Sequence, residues 1–389
     1  MSESRSAGLL AGKCVVFVLA GEVLGGAERG AIDLAYALRE RDGADVAIVA
    51  LDNRAGQARQ LAAERRIPWT SIPTHWVGSS VRKAASLAGF VRAVRRMRPD
   101  VLISSTNRPN VVCGLTWRAT GASSAVWTQC DVNGTTRFGQ RVFRRTLRSM
   151  PIVVTRAYHG KDWLVDEHGG DARRIHVLRS AVVLPEPQLN REAWRATLGL
   201  RDYDVIACML AHLHVGKDHE TALRAWRLVV ERLSGSGPRP VLLMAGRDAG
   251  NEAAVRALAR ELDLRDHIRF LGEVEDVSGL MEASDFAIFC SHRELFPRGV
   301  AEPMSAGLAV IGTDIPGVRE AMGEPGAPFL APPGGEVVLA ESIFRVARDP
   351  ELRTRIGQAN AEVIRTRHAR DVTSGAYVKL LSDALAGRR

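Results

Sequence analysis

An α/β protein of two Rossmann-like, doubly wound domains, facing each other across a cleft, is what the sequence predicts. Three observations carry this expectation. At 389 residues the chain is too long for one ordinary domain. Short apolar runs of strand type alternate with stretches of helical period along its length. That rhythm stops once, where two prolines interrupt "VVLPEPQLNREAW" (Val182–Trp194), and then starts again. The first domain is expected over residues 1–185 and the second over 186–370. A terminal helix at about 371–389 is expected to pack back on the first.

The elements follow in order. "KCVVFVLA" reads as a first buried strand and not as a secretory leader, because the apolar run is short, lacks a small-residue cleavage pattern and leads into Gly21-Glu22. "GAERGAIDLAYALRER" puts Ala31, Leu34, Ala35 and Leu38 on one helical face. "ADVAIVAL", "PDVLISS", "SSAVWTQ" and "MPIVVT" continue the strands of the first domain. After the prolines, "VIACMLA" precedes the helix "HETALRAWRLVVERL", and "RPVLLMAG" precedes "NEAAVRALARELDL". "HIRFLG", "SDFAIFCS" and "LAVIGT" complete the second series. Strands that alternate with helices build a parallel sheet covered on both faces. Ligands of such sheets bind beyond the carboxyl ends of the strands, which is where the chemistry is to be sought.

Composition narrows the function classes. Apolar residues make up 46% and charged residues 25%, as in a soluble globular protein. No apolar run approaches the roughly 20 residues needed to span a bilayer. Cys14, Cys113, Cys130, Cys208 and Cys290 show no paired spacing, so neither a zinc site nor a disulfide framework is indicated. A cytoplasmic setting fits. Asp202-Tyr203-Asp204 lies between a helix and a strand and reads as a turn, so no metal is expected, and no cofactor.

The net charge of +9 is uneven. Met1–Pro185 holds 27 Lys and Arg against 15 Asp and Glu, a balance of +12, while the remainder is at −3. The first half therefore points to an anionic partner. Its densest patch, "RFGQRVFRRTLRS" (Arg137–Ser149), interleaves Phe138, Val142 and Phe143 with five arginines. This pattern suits a peripheral helix on the inner, anionic face of a membrane, and equally a solvated helix face. No nucleic-acid-binding motif accompanies the charge.

Two glutamates raise the functional question. In "RELFPRGVAEPMSAGLAVIG" (Arg293–Gly312), Glu294 and Glu302 stand in a stretch otherwise built for burial. "GVAEPMSAG" reads as a short helix starting near Gly299 or Val300, capped by Gly307. Pro303 then belongs in its first turn, where a missing N–H costs nothing, and Glu302 with it. Glu294 falls on the strand-to-helix loop. Carboxylates are acceptor-only forks that match vicinal diols, and the amides of Pro297–Val300, less the proline, would be donors at the positive helix end.

"ELFPRGVAEPMSAGLAVIGTDIPGVREA" resembles the signature of the retaining glycosyltransferase family 4, in which two glutamates bracket seven residues. "GGAERGAIDLAYAL", "LAHLHVGKDHETALRAW" and "IRFLGEVEDVSGLMEASDFAIFCS" resemble other elements of that family in the expected order. The resemblance implies the glycosyltransferase B fold with a nucleotide sugar held by the second domain. It implies that Glu302 grips the ribose, that Glu294 grips the donor hexose, and that Phe296, Pro297, Arg298 and Gly299 touch hexose hydroxyls or phosphate. Lys217 would neutralise the diphosphate, whose negative charge grows as the glycosidic bond breaks.

The chain departs from the family in places. His212 stands where the family usually has an arginine and is itself a candidate diphosphate ligand; if its imidazole stays neutral, binding would be weaker or would borrow another cation, with Arg298 or His214 as candidates. Cys130, followed by Asp131, fills the place of a common histidine. Asp131 is a candidate to orient or deprotonate the acceptor hydroxyl, or else to form an Asx-turn with Asn133 and Gly134. The Gly25-Gly26 pair allows close approach to a donor phosphate or sugar, and equally makes a tight turn.

Together these readings imply transfer of a hexose or amino-hexose, with retention, from a nucleoside diphosphate sugar to a hydroxyl acceptor. Uridine is favoured weakly over guanosine. The acceptor is either a glycan, lipid-linked or not, or a small polyol of secondary metabolism. A nucleotide-sugar epimerase of the same fold, and a non-catalytic sugar- or lipid-binding protein, are the rivals.

Overall fold

The computed structural model describes residues 8–53, 56–74, 80–132, 139–233 and 238–387. The chain divides into two compact units, Met1–Ala181 with Arg370–Arg389, and Val182–Ala369. In the first, the strands are β1 (Cys14–Leu19), β2 (Asp45–Ala50), β3 (Trp69–Ser71), β4 (Val101–Ser105), β5 (Ser124–Gln129), β6 (Ile152–Thr155) and β7 (Ile175–Val177). Its helices are α1 (Gly26–Asp42), α2 (Gln57–Glu64), α3 (Ser80–Arg96), α4 (Asn107–Thr120), α5 (Gln140–Ser149) and α6 (Tyr158–Asp166).

In the second unit α7 (Arg191–Thr197) precedes β8 (Val205–Leu210), α8 (His219–Leu233), β9 (Pro240–Ala245), α9 (Glu252–Glu261) and β10 (Ile268–Gly272). Then come α10 (Val277–Ala283), β11 (Phe286–Phe289), α11 (Arg298–Ser305), β12 (Ala309–Thr313), α12 (Pro316–Gly326) and β13 (Leu330–Ala331). Helices α13 (Glu336–Arg348) and α14 (Pro350–Arg367) close this unit, and α15 (Arg370–Leu385) returns to the first.

Both sheets are parallel, ordered β3-β2-β1-β4-β5-β6-β7 and β10-β9-β8-β11-β12-β13. In each, the order reverses beside the first strand, between β1 and β4 and between β8 and β11. A crevice opens at such a switch point because successive crossovers turn away to opposite sides.

The continuous apolar runs have a plain cause. In β8, Val205, Ala207 and Met209 enter a core with Trp226 of α8 and Ile343 of α13. Ile206 and Cys208 point the other way, to a core with Met304 of α11 and Val318 of α12. Side chains alternate with period two, so a strand buried on both faces needs apolar residues at every position. In the first unit α15 buries Tyr377, Val378 and Leu381 against residues of α1 and of the central strands.

Helix α5 carries most of that basic pattern. Phe143 is fully buried and meets Trp127 edge-on at 4.9 Å between ring centroids. The apolar side of α5 thus faces its own unit, while Arg141, Arg144, Arg145 and Arg148 are exposed. Arg137 and Phe138 lie outside the described residues. Among the described residues no helix is long and apolar enough to cross a membrane.

Candidate active site

Three segments meet at the β8/β11 switch point: the loop after β8, the loop after β11, and the start of α11. The β8 loop carries His212, His214 and Lys217 into α8. Its backbone is fixed by Leu213 donating to the Arg247 carbonyl (3.0 Å) and Lys217 donating to that of His214 (2.9 Å). After β11, the Ser291 hydroxyl lies 3.0 Å from the Gly216 carbonyl and 2.9 Å from Glu294 Oε1, and His292 N–H donates to Gly216 (3.1 Å). These bonds stitch the two loops together.

Lys217 Nζ forms an ion pair and hydrogen bond with Glu294 Oε1. The ammonium also lies 5.0 Å from the centroid of the Phe289 ring, over its electron-rich face. Both side chains are largely shielded, with 25% and 15% of their surface exposed. The sequence treats Lys217 and Glu294 as separate ligands of a donor; the fold makes them partners.

Helix α11 begins at Arg298, one or two residues earlier than its sequence suggests. Pro297 is the N-cap, and its carbonyl accepts from Val300 and Ala301, both at 3.1 Å. The Val300 amide is therefore engaged within the helix, and Arg298 and Gly299 supply the first-turn donors. Pro303 and Glu302 correspondingly fall in the second turn, not the first. The proline there lacks the N–H that would have met the Gly299 carbonyl. The cap at the other end is as expected. Gly307 (φ 76) donates to Met304 at 3.1 Å and Leu308 to Pro303 at 2.9 Å, the paired bonds of a left-handed glycine stop.

Arg298 reaches one turn along α11 to Glu302, with Nε and Nη2 2.8 and 2.7 Å from Oε1. A cation in the first turn opposes the helix dipole, and Glu302 offsets that cost. Arg298, a sequence candidate for the missing diphosphate cation, is thus held by the carboxylate expected at the ribose. Phe296 turns its half-buried ring against His368 (centroids 4.8 Å apart), so only its backbone is placed to serve a ligand.

Close packing fixes this geometry. A Cβ on Gly299 would stand 2.2 Å from the Leu210 carbonyl oxygen, and one on Gly317 would stand 2.3 Å from that of Glu294. Neither position admits a side chain without moving a loop of the site.

His212 lies on the exposed rim, and its pKa is pushed below the ordinary value. Crowding by protein is the main cause, followed by the charges of Arg247 and Lys217. The imidazole is thus neutral at pH 7, as befits a residue beside two cations. Arg247, just after β9, was not singled out by sequence reasoning, because nothing local marks it. His214 uses Nδ1 to accept from the Gly216 amide at 3.0 Å, which shapes the turn. Buried beneath, His219 has its pKa lowered to about 4 by desolvation, and neither ring nitrogen has a partner among the described residues.

The first unit places Gly25 as N-cap of α1 and Gly26 as its first residue. The Glu28 carboxylate lies beside the N–H groups of Gly25 and of its own residue, which favour its charged form, so an acid of the chain itself sits at the positive end of α1. Burial raises the pKa of Glu28. Sequence reading missed Glu28, although its spacing of three from Gly25 is that of a capping box. Asp131 follows β5, half-buried, and its carbonyl accepts from Gln129 Nε2 at 2.6 Å. The neighbouring Cys130 Sγ lies 3.2 Å from Ser105 Oγ. Asn133 and Gly134, its expected turn partners, lie outside the described residues.

Asp204 is held by Arg239, with Nε 3.2 Å and Nη2 2.5 Å away. No group of three or more His, Cys, Asp or Glu side chains clusters among the described residues as a metal would require.

Over residues 24–186 the chain matches the family described as Glycosyltransferase Family 4, and over residues 190–363 the one described as Glycosyl transferases group 1. The chain belongs to the family 4 glycosyltransferases. This family 4 chain is 29% identical over 141 residues to the lipopolysaccharide core biosynthesis glycosyltransferase LpsD of Rhizobium meliloti, covering 36% of the chain and 41% of that protein. It is 27% identical over 206 residues to a D-inositol 3-phosphate glycosyltransferase of Saccharomonospora viridis, covering 51% and 48%. The matched stretches thus span less than half the length of these curated relatives. The structure of HepE from Anabaena in complex with UDP and glucose superposes with a TM-score of 0.82 at 20% identity, covering 95% of this chain and 100% of that one. That likeness shows the fold, the glycosyltransferase B type with two parallel-sheet units.

Proposed function

We propose that the protein transfers a hexose or amino-hexose from a nucleoside diphosphate sugar, uridine-linked, to a hydroxyl acceptor with retention of configuration, and needs neither metal nor cofactor. One observation carries the proposal: Lys217 and Glu294, from different loops, are locked together at the switch point, one short helix from Arg298 and Glu302.

In this reading Lys217 faces the diphosphate and stabilises the charge that builds on it as the glycosidic bond breaks. Glu294 accepts from donor hexose hydroxyls, and Glu302 from the ribose diol. The amides of Arg298 and Gly299 at the amino end of α11 serve phosphate or sugar oxygens. Arg247, whose charge is felt at His212, adds positive charge beside the diphosphate. The acceptor approaches from the first unit, with Asp131 as the group that orients its hydroxyl and Gly25-Gly26 beside the donor. The uridine assignment follows HepE, whose structures hold UDP, UDP with glucose, and UDP-glucose. The acceptors named for relatives, lipopolysaccharide core and inositol 3-phosphate, share only hydroxyl groups, so the hydroxyl is the acceptor class proposed.

Incubation with UDP- and GDP-sugars and a panel of hydroxyl acceptors tests this, read as nucleoside diphosphate release and by the anomeric coupling of the product. Glu294→Gln should cut kcat/KM by ~10²–10³, the usual cost of losing one preorganised polar contact. Turnover equal to wild type in a folded variant removes Glu294 from the mechanism. Isomerised donor without acceptor would show an epimerase instead.

A further inference from the structure

We propose that the first unit holds a second, separate anion site, for a phosphate group, built around Arg156. The site is a narrow cavity, open to solvent on one side, enclosed by α1, the ends of β4 and β5, the segment after β7 and the first turns of α15. Three arginines are among its lining residues: Arg156, Arg179 and Arg370.

Arg156 is the decisive member. It follows β6 directly, and only 9% of it is exposed. Among the described residues no carboxylate or carbonyl pairs with its guanidinium. A charge removed from water and left without a counter-charge is strongly unfavourable, so such a group normally acquires an anion. The two acids nearby are otherwise engaged. Asp33, on the cavity wall, is paired with Arg65. Glu28 feels the Arg156 charge but forms no ion pair with it, and lies beside the amides at the amino end of α1.

The surroundings are shaped for Arg156. Its Nη2 lies 3.2 Å from where a Cβ on Gly30 would stand. Glycine in a helix interior is unfavourable, and here it leaves room for the guanidinium. Arg370, Thr373, Ser374 and Tyr377 line the cavity at successive turns of α15, whose amino end adds its partial positive charge. Three arginines at one cavity leave it with an excess of positive charge that an anion would offset. A phosphate, with several acceptor oxygens and up to two charges, matches three planar forks better than a carboxylate does.

Its position in the chain gives the site a consequence. Arg179 to Ala181 are the last residues before the chain passes to the second unit, and Arg370 is the first after it returns. A bound phosphate would therefore brace both crossing segments.

Calorimetry on the full chain tests this, with inorganic phosphate and with glycerol 3-phosphate as probes, in Lys217→Ala protein so that the proposed donor site contributes nothing. Binding should survive Lys217→Ala, weaken about tenfold or more in Arg156→Gln, and weaken several-fold in Arg370→Gln, as expected for lost charge-assisted hydrogen bonds. Because Arg370 is exposed, its variant reads the site even if Arg156→Gln disturbs folding. Phosphate should also slow amide exchange at residues 179–181 and 370–374. Tighter binding of glycerol 3-phosphate assigns the site to a phosphorylated acceptor or metabolite, and equal binding to free phosphate. No heat with either probe, or affinities unchanged by both arginine substitutions, overturns the site. Loss of binding with Lys217→Ala alone does the same, and leaves the donor-site reading intact.

Discussion

His219 makes stability depend on pH in a way that can be calculated. It opens α8 two residues after Lys217, only 1% exposed, with both ring nitrogens unpartnered among the described residues. Desolvation lowers its pKa from 6.5 to about 4. The folded protein therefore keeps the ring neutral where the unfolded chain would protonate it. Between those values the unfolded state binds more protons, so acidification favours unfolding. Stability is complete above about pH 7, falls as pH drops through 6.5, and levels off below about 4. At about 1.4 kcal/mol per pKa unit, the loss from this one group between pH 7 and pH 5 is about 2 kcal/mol. Urea unfolding of wild type and His219→Leu at both pH values isolates it, since all other titrating groups are common to both. Wild type should lose about 2 kcal/mol more than the variant over that interval. Equal losses would mean that the ring is solvated or paired, and would refute the reasoning.

Two further substitutions probe the site from opposite sides. Lys217→Met should reduce kcat/KM with a UDP-sugar by ~10²–10³ while the fold persists, because it removes charge from the diphosphate and also frees Glu294; unchanged turnover would exclude the ammonium from the reaction. Gly299→Ala drives a Cβ to 2.2 Å from the Leu210 carbonyl and 2.9 Å from the Phe289 ring. That overlap should cost about 1–3 kcal/mol of stability and, by shifting α11, weaken UDP affinity in the same protein. A variant with native melting temperature and native affinity would show that α11 tolerates the displacement.

The doubly wound architecture was legible because both faces of each central strand are buried. Runs such as Val205–Leu210 and Phe286–Phe289 have no polar position to blur the strand signal. Glu294 and Glu302 were legible as residue types out of place in their context, and Lys217 through the resemblance of its stretch to the family. Their pairing was not, because Lys217 and Glu294 meet only through the stitching of two loops 77 positions apart. The start of α11 was misplaced by one or two residues because a proline is tolerated beyond the first turn when the helix is short and packed. Helix α5 shows a different limit: periodicity reveals that Phe143 has an apolar partner, and cannot say that this partner is Trp127. Arg156 and Arg247 carried no local signal of their surroundings, and Glu28 carried only its capping-box spacing. Their significance lies in burial and in neighbours supplied by distant segments.

The charge balance at the second unit leads to one further expectation. Lys217 with Glu294 and Arg298 with Glu302 are two neutral pairs, so a diphosphate that shared these cations would bring uncompensated negative charge. His212 is kept from protonating by crowding first, and then by Arg247 and Lys217. An entering diphosphate reverses that field, because its negative charge favours the imidazolium. In the proposed reading His212 therefore takes up a proton as the donor binds and becomes the cation that the family's arginine would have been. UDP-glucose has no phosphate proton to lose near neutrality, so its binding near pH 6.5 reports the histidine directly. Calorimetry in two buffers of different ionisation enthalpy should give different apparent heats for wild type and equal heats for His212→Asn. Equal heats in wild type would mean that His212 stays neutral throughout, and would leave Arg247 to balance the diphosphate alone.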